Sequence, residues 1–164
     1  MTTQQNPDLI PPASEPNWLT DEEQQSWRGL LLVYQMLFEG LDKQLRTEAG
    51  IPHTYYTILA MLSEAPERRL RMSDLAKVTS ASQSRTSHAV AALEQRGWVT
   101  RESCPTDKRG QFAALTEAGF EAVVELAPKH VAEVRRLIFD HLTPAEVRQL
   151  TSITTSINHR DPGR

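Results

Sequence analysis

A run of short polar side chains stands between residues 82 and 88 of this 164-residue chain, in the order Ser-Gln-Ser-Arg-Thr-Ser-His. Arg85 carries a forked set of donors, and Gln83 can both donate and accept a hydrogen bond. Arginine can bond guanine through two hydrogen bonds, and glutamine can bond adenine in a similar way. The run therefore suggests a surface that hydrogen-bonds to base edges, provided that a helix presents it.

A helix of the required kind is predicted from Ser82, its cap, to about Gln95, with Gly97 as the stop. Its packing face is predicted to hold Thr86, Ala89, Val90 and Leu93. Its outward face would present Ser82, Gln83, Ser84, Arg85, Ser87 and His88. A shorter helix, capped by Ser73, precedes this one, and a break at residues 79–81 separates the two. Together they make a helix-turn-helix. An ordinary amphipathic helix with a serine-rich exposed face has the same pattern, so both interpretations stay open here.

A charged turn follows this helix. The segment "PTDKRG", residues 105–110, lies between two β-prone runs and predicts a β-hairpin with Lys108 and Arg109 at its tip. A hairpin placed after a helix-turn-helix makes the motif winged. A plain Asp–Lys–Arg turn with a surface ion pair is the alternative, worth about 0–1 kcal/mol.

The charge distribution favours an anion-binding surface more than the net charge of −3 does. Residues 68–111 contain nine Lys and Arg against four Asp and Glu, a local charge of +5, which leaves −8 for the rest of the chain. Such asymmetry is typical of proteins that bind nucleic acid. A solvated charged surface explains it equally well.

The remaining elements must position these groups, and they are all predicted helices. Thr20 and Glu23 form a capping box for a long helix that reaches Gly50. A second helix covers residues 52–63, and "EAPERR", residues 64–69, is predicted to be a loop. A fifth helix runs from Thr116 to about residue 140 with a bend at Pro128, and the last begins at Thr143. The fold class is mainly α with a small β-hairpin.

Residues 71–119 resemble the MarR family of winged helix-turn-helix transcriptional regulators. "SDLA" is similar to the first helix of that motif, and "LEQRGWV" is similar to the exit of the second helix into the wing. "DKR", followed after a short strand by "LTEAG", resembles the D-x-R and L-T-x-x-G signature of the wing. The pieces occur in the family's order and spacing, and the flanking helices match the family's plan after residue 17.

The resemblance implies a homodimeric repressor that binds double-stranded DNA at a pseudo-palindrome, with half-sites about one helical turn apart. It implies an N-terminal tail (residues 1–17), a dimerisation helix (18–50), a DNA-binding lobe (51–116) and C-terminal dimerisation helices (117–160). In the wing, Arg109 would enter the minor groove, Lys108 would contact a phosphate and Asp107 would brace an arginine. Arg71 and Ser73 are assigned as further phosphate contacts.

The resemblance also implies a small aromatic effector between the dimer helices and the DNA-binding lobe. The candidate lining residues are Trp27, Tyr34, His53, Tyr55 and Tyr56. Packing in the core or at an interface is the alternative for each of these aromatic residues. No effector can be named from the residues alone.

Other functions receive little support from the sequence. No nucleophile elbow, phosphate-binding loop, dinucleotide fingerprint or zinc-protease motif is present, so we expect no enzyme and no cofactor. The five histidines show no close helical pair, which predicts no metal site, although histidines from different helices could meet. Cys104 is expected to be an incidental thiol rather than a redox sensor. The chain lacks a signal-peptide profile and a membrane-spanning apolar run, so a cytoplasmic location is expected.

Two rival functions remain open at this stage. A winged helix could serve as a protein–protein interaction module that uses its wing without DNA. It could also bind DNA without sequence preference. Steep salt dependence is expected of a DNA binder, and a protected footprint of defined sequence is expected of a regulator.

Overall fold

The computed structural model describes residues 16–79, 82–104 and 107–159, without the side chains of residues 78, 104 and 107–109. The helices are α1 (Asp21–Ala49), α2 (His53–Glu64), α3 (Met72–Val78), α4 (Gln83–Gln95), α5 (Glu117–Leu137) and α6 (Pro144–Asn158). The strands are β1 (Arg69–Arg71), β2 (Val99–Cys104) and β3 (Asp107–Leu115). Within these residues no helix combines the length and hydropathy that a membrane crossing needs. The expected N-terminal tail, apart from residues 16 and 17, and the last five residues lie outside the described part.

The chain divides into two units, residues 1–33 and 34–164. The first unit, as described, is the N-terminal part of α1 with its approach. The predicted capping box is confirmed there, since the Thr20 N–H donates to Glu23 at 2.8 Å and the Glu23 N–H donates to Thr20 at 3.2 Å. These bonds satisfy two backbone donors at the helix start.

The second unit has one hydrophobic core. Buried leucine, isoleucine and valine side chains of α2, α3, α4 and the sheet meet there, including Leu59, Leu75, Val90, Leu93 and Val99. The end of α1 contributes Leu45, and α5 contributes Val123 and Leu126. The core therefore fixes α4 and the hairpin against the same set of side chains.

The β-hairpin is confirmed and is part of a three-stranded antiparallel sheet in the order β1-β3-β2. Strand β1 was not expected, because the loop prediction extended into its first residue. Leu70 explains the strand: it pairs with Ala113 of β3 and packs against the core, between two arginines that point the other way. A 3₁₀ turn, Pro66–Arg68, joins α2 to this strand.

Two helix boundaries differ from expectation. The prediction that Ser73 caps α3 is wrong, because α3 begins at Met72 directly after β1 and the extended Arg71 takes the cap position. The prediction that α5 reaches residue 140 is also wrong. It ends at Leu137, because Ile138 leaves helical geometry and a 3₁₀ turn, Phe139–His141, follows. Helix α5 continues through Pro128, and the bend expected there stays a prediction.

The two ends of the wing are tied together at its base. The Thr116 hydroxyl donates to the Gly97 carbonyl at 2.7 Å and accepts from the Gly119 N–H at 3.0 Å. The Thr116 N–H donates to the Trp98 carbonyl at 3.0 Å. Gly119 must lack a side chain, because a Cβ there would lie 2.1 Å from the Trp98 carbonyl oxygen. This close approach gives a physical reason for the glycine in "LTEAG".

Candidate nucleic-acid interface

Helix α4 has the two faces that the sequence predicts. Thr86, Ala89, Val90 and Leu93 are buried, and the predicted cap is confirmed because the Ser82 hydroxyl accepts from the Arg85 N–H at 3.3 Å. The outward residues Ser82, Gln83, Ser84, Arg85 and His88 are exposed. A helix held by one face and polar on the other can enter a major groove without disturbing its own packing.

Most of the described cations in the basic segment are already engaged. Arg68 pairs with Glu117 at 3.0 Å and lies over the Phe120 ring, and Arg69 pairs with Glu67 and Glu102. Arg96 donates to the carbonyls of Ala49 and Gly50 at the end of α1, and Lys77 pairs with Asp74. Much of the +5 local charge therefore stabilises the fold.

Arg85 differs from these arginines. Its guanidinium has no ion-pair or hydrogen-bond partner among the described residues, and the side chain is exposed on α4. A guanidinium without such partners can bond a base edge or a phosphate without breaking an internal contact.

Ser87 departs from its expected place on the open face. It is half-buried, and its carbonyl oxygen accepts from Arg101 Nη2 at 2.7 Å. Its hydroxyl oxygen lies 3.3 Å from the same nitrogen. Arg101 Nε also lies 3.2 Å from Glu94 Oε2, close enough for an ion pair but without hydrogen-bond geometry. Strand β2 is thereby attached to α4.

A groove of about 370 Å³ brings together several of the expected contact residues. It lies where the start of α3, helix α4 and strand β3 meet. Its lining is Arg71, Met72, Ser73, Gln83, Ser87, Gly110 and Gln111. Arg71 also lies 5.3 Å from the centre of the Phe112 ring. The assigned phosphate contacts Arg71 and Ser73 thus share one concave surface with the outward face of α4.

The backbone of the wing is described up to Cys104 in β2 and again from Asp107, where β3 begins. The register with β2 shifts between Ser103 and Cys104. The side chains of Asp107, Lys108 and Arg109 lie outside the described part of the structure. Their roles as brace, phosphate contact and minor-groove probe stay predictions.

Four of the five candidate effector residues fall into two groups that adjoin at Phe38, whose ring centre lies 6.1 Å from that of His53. Tyr34 and Tyr55 line a pocket of about 500 Å³, together with Arg85 and His88 of α4. His53 and Tyr56 belong to a ring cluster with His130, whose ring centre is 5.7 Å from that of His53 and 4.4 Å from that of Tyr56. Trp27 belongs to the first unit and is half exposed.

The histidine cluster is electrostatically distinctive. Burial lowers the pKa of His53, and the nearby Asp42 carboxylate only partly opposes this. Burial and the neighbouring His53 both lower the pKa of His130. Burial alone would raise the pKa of Asp42, but hydrogen bonds from Arg46 and the His53 N–H outweigh it, and the pKa is lowered. Burial therefore favours the neutral form of both imidazoles.

Metal binding finds no support within the described residues, which hold no group of three or more His, Cys, Asp or Glu able to ligate an ion. The Cys104 side chain lies outside them. His53 and His130 do meet across two helices, but they remain a pair.

Comparison with known proteins identifies the arrangement. A MarR family model matches residues 49–110. Sco3205 of Streptomyces coelicolor, a MarR family transcriptional regulator solved in complex with DNA, is 49% identical. The match covers 92% of this chain and 95% of that one, with a TM-score of 0.86. This chain belongs to the MarR family.

Further relatives agree with this assignment. AbsC of Streptomyces coelicolor, another MarR family regulator, is 42% identical over 91% of this chain and 100% of its own, with a TM-score of 0.83. The transcriptional repressor MprA of Escherichia coli is 28% identical over 76% of this chain and 69% of its own. The protein is thus a DNA-binding transcriptional regulator of the MarR family.

Two residues of this MarR family site escaped sequence reasoning. From the sequence, Arg101 was considered only as part of the local charge. Val99 and Arg101 are two positions apart in β2, however, so their side chains face the same side of the sheet. Val99 is buried, so Arg101 had to point toward α4. His130 lay too far from His53 in the chain for any local pattern to connect them.

Proposed function

We propose that the protein is a homodimeric repressor, which binds a pseudo-palindromic operator through two copies of α4 and two wings. The observation that carries this proposal is the division of α4 into a fully buried apolar face and an exposed polar face. Arg85 and Gln83 would bond base edges in the major groove.

The wing completes the proposed contact. Arg109 would enter the minor groove, where narrow A·T-rich segments have enhanced negative potential. Lys108 would contact a phosphate, and Asp107 would brace an arginine of the wing region. Arg71 and Ser73 would hold a phosphate in the groove beside Gln83, which supports a continuous path from helix to wing.

Exposed apolar side chains support the homodimer. They lie on α1, α5 and α6, and a monomer rarely leaves so many uncovered. They include Trp27, Leu30, Leu31, Tyr34, Phe38, Val124, Val131, Leu150, Ile153 and Ile157. A second copy of the chain is the natural cover, because closed two-fold dimers match a two-fold operator.

Repression would follow from occupancy of a promoter. The Escherichia coli relative is named a repressor. A dimer with two bound major grooves would exclude polymerase from overlapping DNA.

An aromatic effector would act through the pocket beside α4. Tyr34 and Tyr55 supply aromatic walls, while Arg85 and His88 supply polar groups from the DNA-facing helix itself. A ligand that engages Arg85 removes a donor from the operator contact, so it binds the free protein better than the complex. That difference in affinity is what release requires. Titration of the DNA complex with a panel of phenols and aromatic carboxylates tests this, with Tyr55→Ala as the control variant.

Selection of duplexes from a random pool with the purified protein tests the function as a whole. We expect an enriched pseudo-palindrome and a steep negative slope of log affinity against log salt. An interaction module without DNA binding would show no salt-dependent capture. A non-specific binder would capture DNA without an enriched motif. Either outcome would overturn the proposal.

Arg109→Ala tests the wing separately. We expect operator affinity to fall markedly while the melting temperature stays unchanged, because the substitution removes a DNA contact at the hairpin tip. A mobility-shift titration and a thermal melt measure the two quantities. Unchanged affinity would remove Arg109 from the interface.

A further inference from the structure

We propose that Arg101 is a positioning residue that locks the wing to the recognition helix α4 and thereby sets sequence specificity. The inference rests on the proposed operator binding and deepens it. The backbone of Arg101 is part of the wing, since it lies in β2 and pairs with Ala113 of β3. Its side chain belongs to α4 by contact, since it bonds Ser87 and pairs with Glu94.

The site of attachment is the reason that this contact bears on specificity. Ser87 lies one helical turn after Gln83 and two residues after Arg85, at the edge of the outward face. The guanidinium therefore lies between helix α4 and the wing, the two elements that must contact one duplex at the same time. A carbonyl bonded at 2.7 Å cannot move away from β2 without losing a charge-assisted hydrogen bond.

Arg101 is poorly suited to be a DNA contact itself. Its side chain is 27% exposed, and Glu94, itself 31% exposed, neutralises its charge. A phosphate would have to compete with both Glu94 and the Ser87 carbonyl for the same donors. Arg85, by contrast, is exposed on α4 and has no such partner among the described residues. Ser87 accordingly acts as an acceptor for Arg101 rather than as a contact to a base.

A wing that moves freely relative to α4 would discriminate less well between DNA sequences, but its attraction to the DNA phosphates would change little. Backbone phosphates attract a displaced wing almost as well as a fixed one, because that attraction is independent of sequence. Contacts to base edges and to a narrow minor groove form only when the wing and α4 are correctly placed. Loss of the Arg101 contacts should therefore lower operator affinity much more than affinity for scrambled DNA.

The test compares Arg101→Met with the wild type on the selected operator and on a scrambled duplex, over a range of salt. We expect the ratio of the two affinities to fall about tenfold or more, the size of one lost base-pair discrimination. Arg101→Lys should give an intermediate ratio, because one ammonium can reach Ser87 or Glu94 but cannot bridge both. Ser87→Ala is the matched control, and it should change the ratio only about two- to threefold, since the carbonyl contact remains.

Hydrogen exchange of the free protein gives a readout that needs no DNA. Arg101→Met should speed exchange in β2 and β3 while α2 keeps its protection. Equal losses on both duplexes, with a salt slope lowered by about 0.9 per protomer, would make Arg101 a plain phosphate contact and overturn the inference. A lowered melting temperature with an unchanged ratio would overturn it as well. If the wild type selects no operator, the proposed function fails, and unchanged wing exchange in the variant would still refute the lock.

Discussion

Helices α4 and α6 have similar lengths and opposite surroundings. The apolar face of α4 is complete within one chain, with Val90 and Leu93 entirely buried. The apolar face of α6 is open, with Ile153 and Ile157 both more than half exposed. One copy of the chain therefore suffices to build the lobe that faces DNA, whereas α6 carries the pattern of a helix that another surface must cover.

The largest effect is expected from substitutions on the exposed apolar face of α6. Ile153→Asp combined with Ile157→Asp places two carboxylates per protomer on the apolar face of α6, and burying each would cost several kcal/mol. We expect a monomer in light scattering and loss of the two-fold operator complex. Thr151→Asp with Thr155→Asp adds the same charge to the opposite face of α6 and should leave the dimer intact. A double Ile variant that remains dimeric would contradict the assignment of this face.

The closed side of the comparison is tested in the core. Leu93→Ala should lower the free energy of unfolding by about 2–5 kcal/mol, because it leaves a cavity among fully buried neighbours. Gln95→Ala, on an exposed position of the same helix, should change it by less than about 0.5 kcal/mol. Chemical denaturation measures both. Similar values for the two variants would mean that the inner face of α4 is not where the lobe gains stability.

The role of the outward face of α4 in base recognition can be tested at a single residue. Arg85→Ala should relax the preference at one base position per half-site by about 1–3 kcal/mol, because a bidentate contact is lost. Lys77→Ala, which removes a cation from α3, is the control and should not change any base preference. Binding to a series of single-position operator variants measures the effect. Equal losses on operator and random DNA would assign Arg85 to a phosphate instead.

The smallest effect concerns pH and the histidine cluster. The pKa values of His53 and His130 lie below their ordinary value of 6.5, so below that pH the unfolded chain binds protons that the folded protein excludes. The free energy of unfolding should therefore fall as the pH drops from about 6.5 toward the lowered values. Urea denaturation at pH 7.5 and 5.5 measures the change, and His130→Gln should reduce it. An unchanged slope in that variant would place the titration elsewhere.

Local signals predicted the elements of the lobe well. Ser82, Gly97 and Thr116 act at the helix ends that they were expected to define, because capping depends on a few adjacent residues. Strand β1 was missed, since three residues are too few to show alternation and its partner Ala113 is 43 positions away. The Arg101 contacts were missed for the same reason: the sequence shows a cation on a strand, while its partners depend on how that strand packs. The family resemblance supplied the wing roles, because the functions of Asp107, Lys108 and Arg109 depend on DNA and not on any local pattern in the chain.

The tie between Thr116, Gly97 and Trp98 has a consequence for how such a regulator can change. A segment that leaves and re-enters the fold at one fastened point is modular: its distal part can be exchanged, shortened or lengthened while the junction holds. Hairpins from other regulators, grafted beyond the Arg101–Ala113 pair, would inherit a ready-made mounting. New operator preferences could thus arise by swapping a tip, with no redesign of the lobe that carries it.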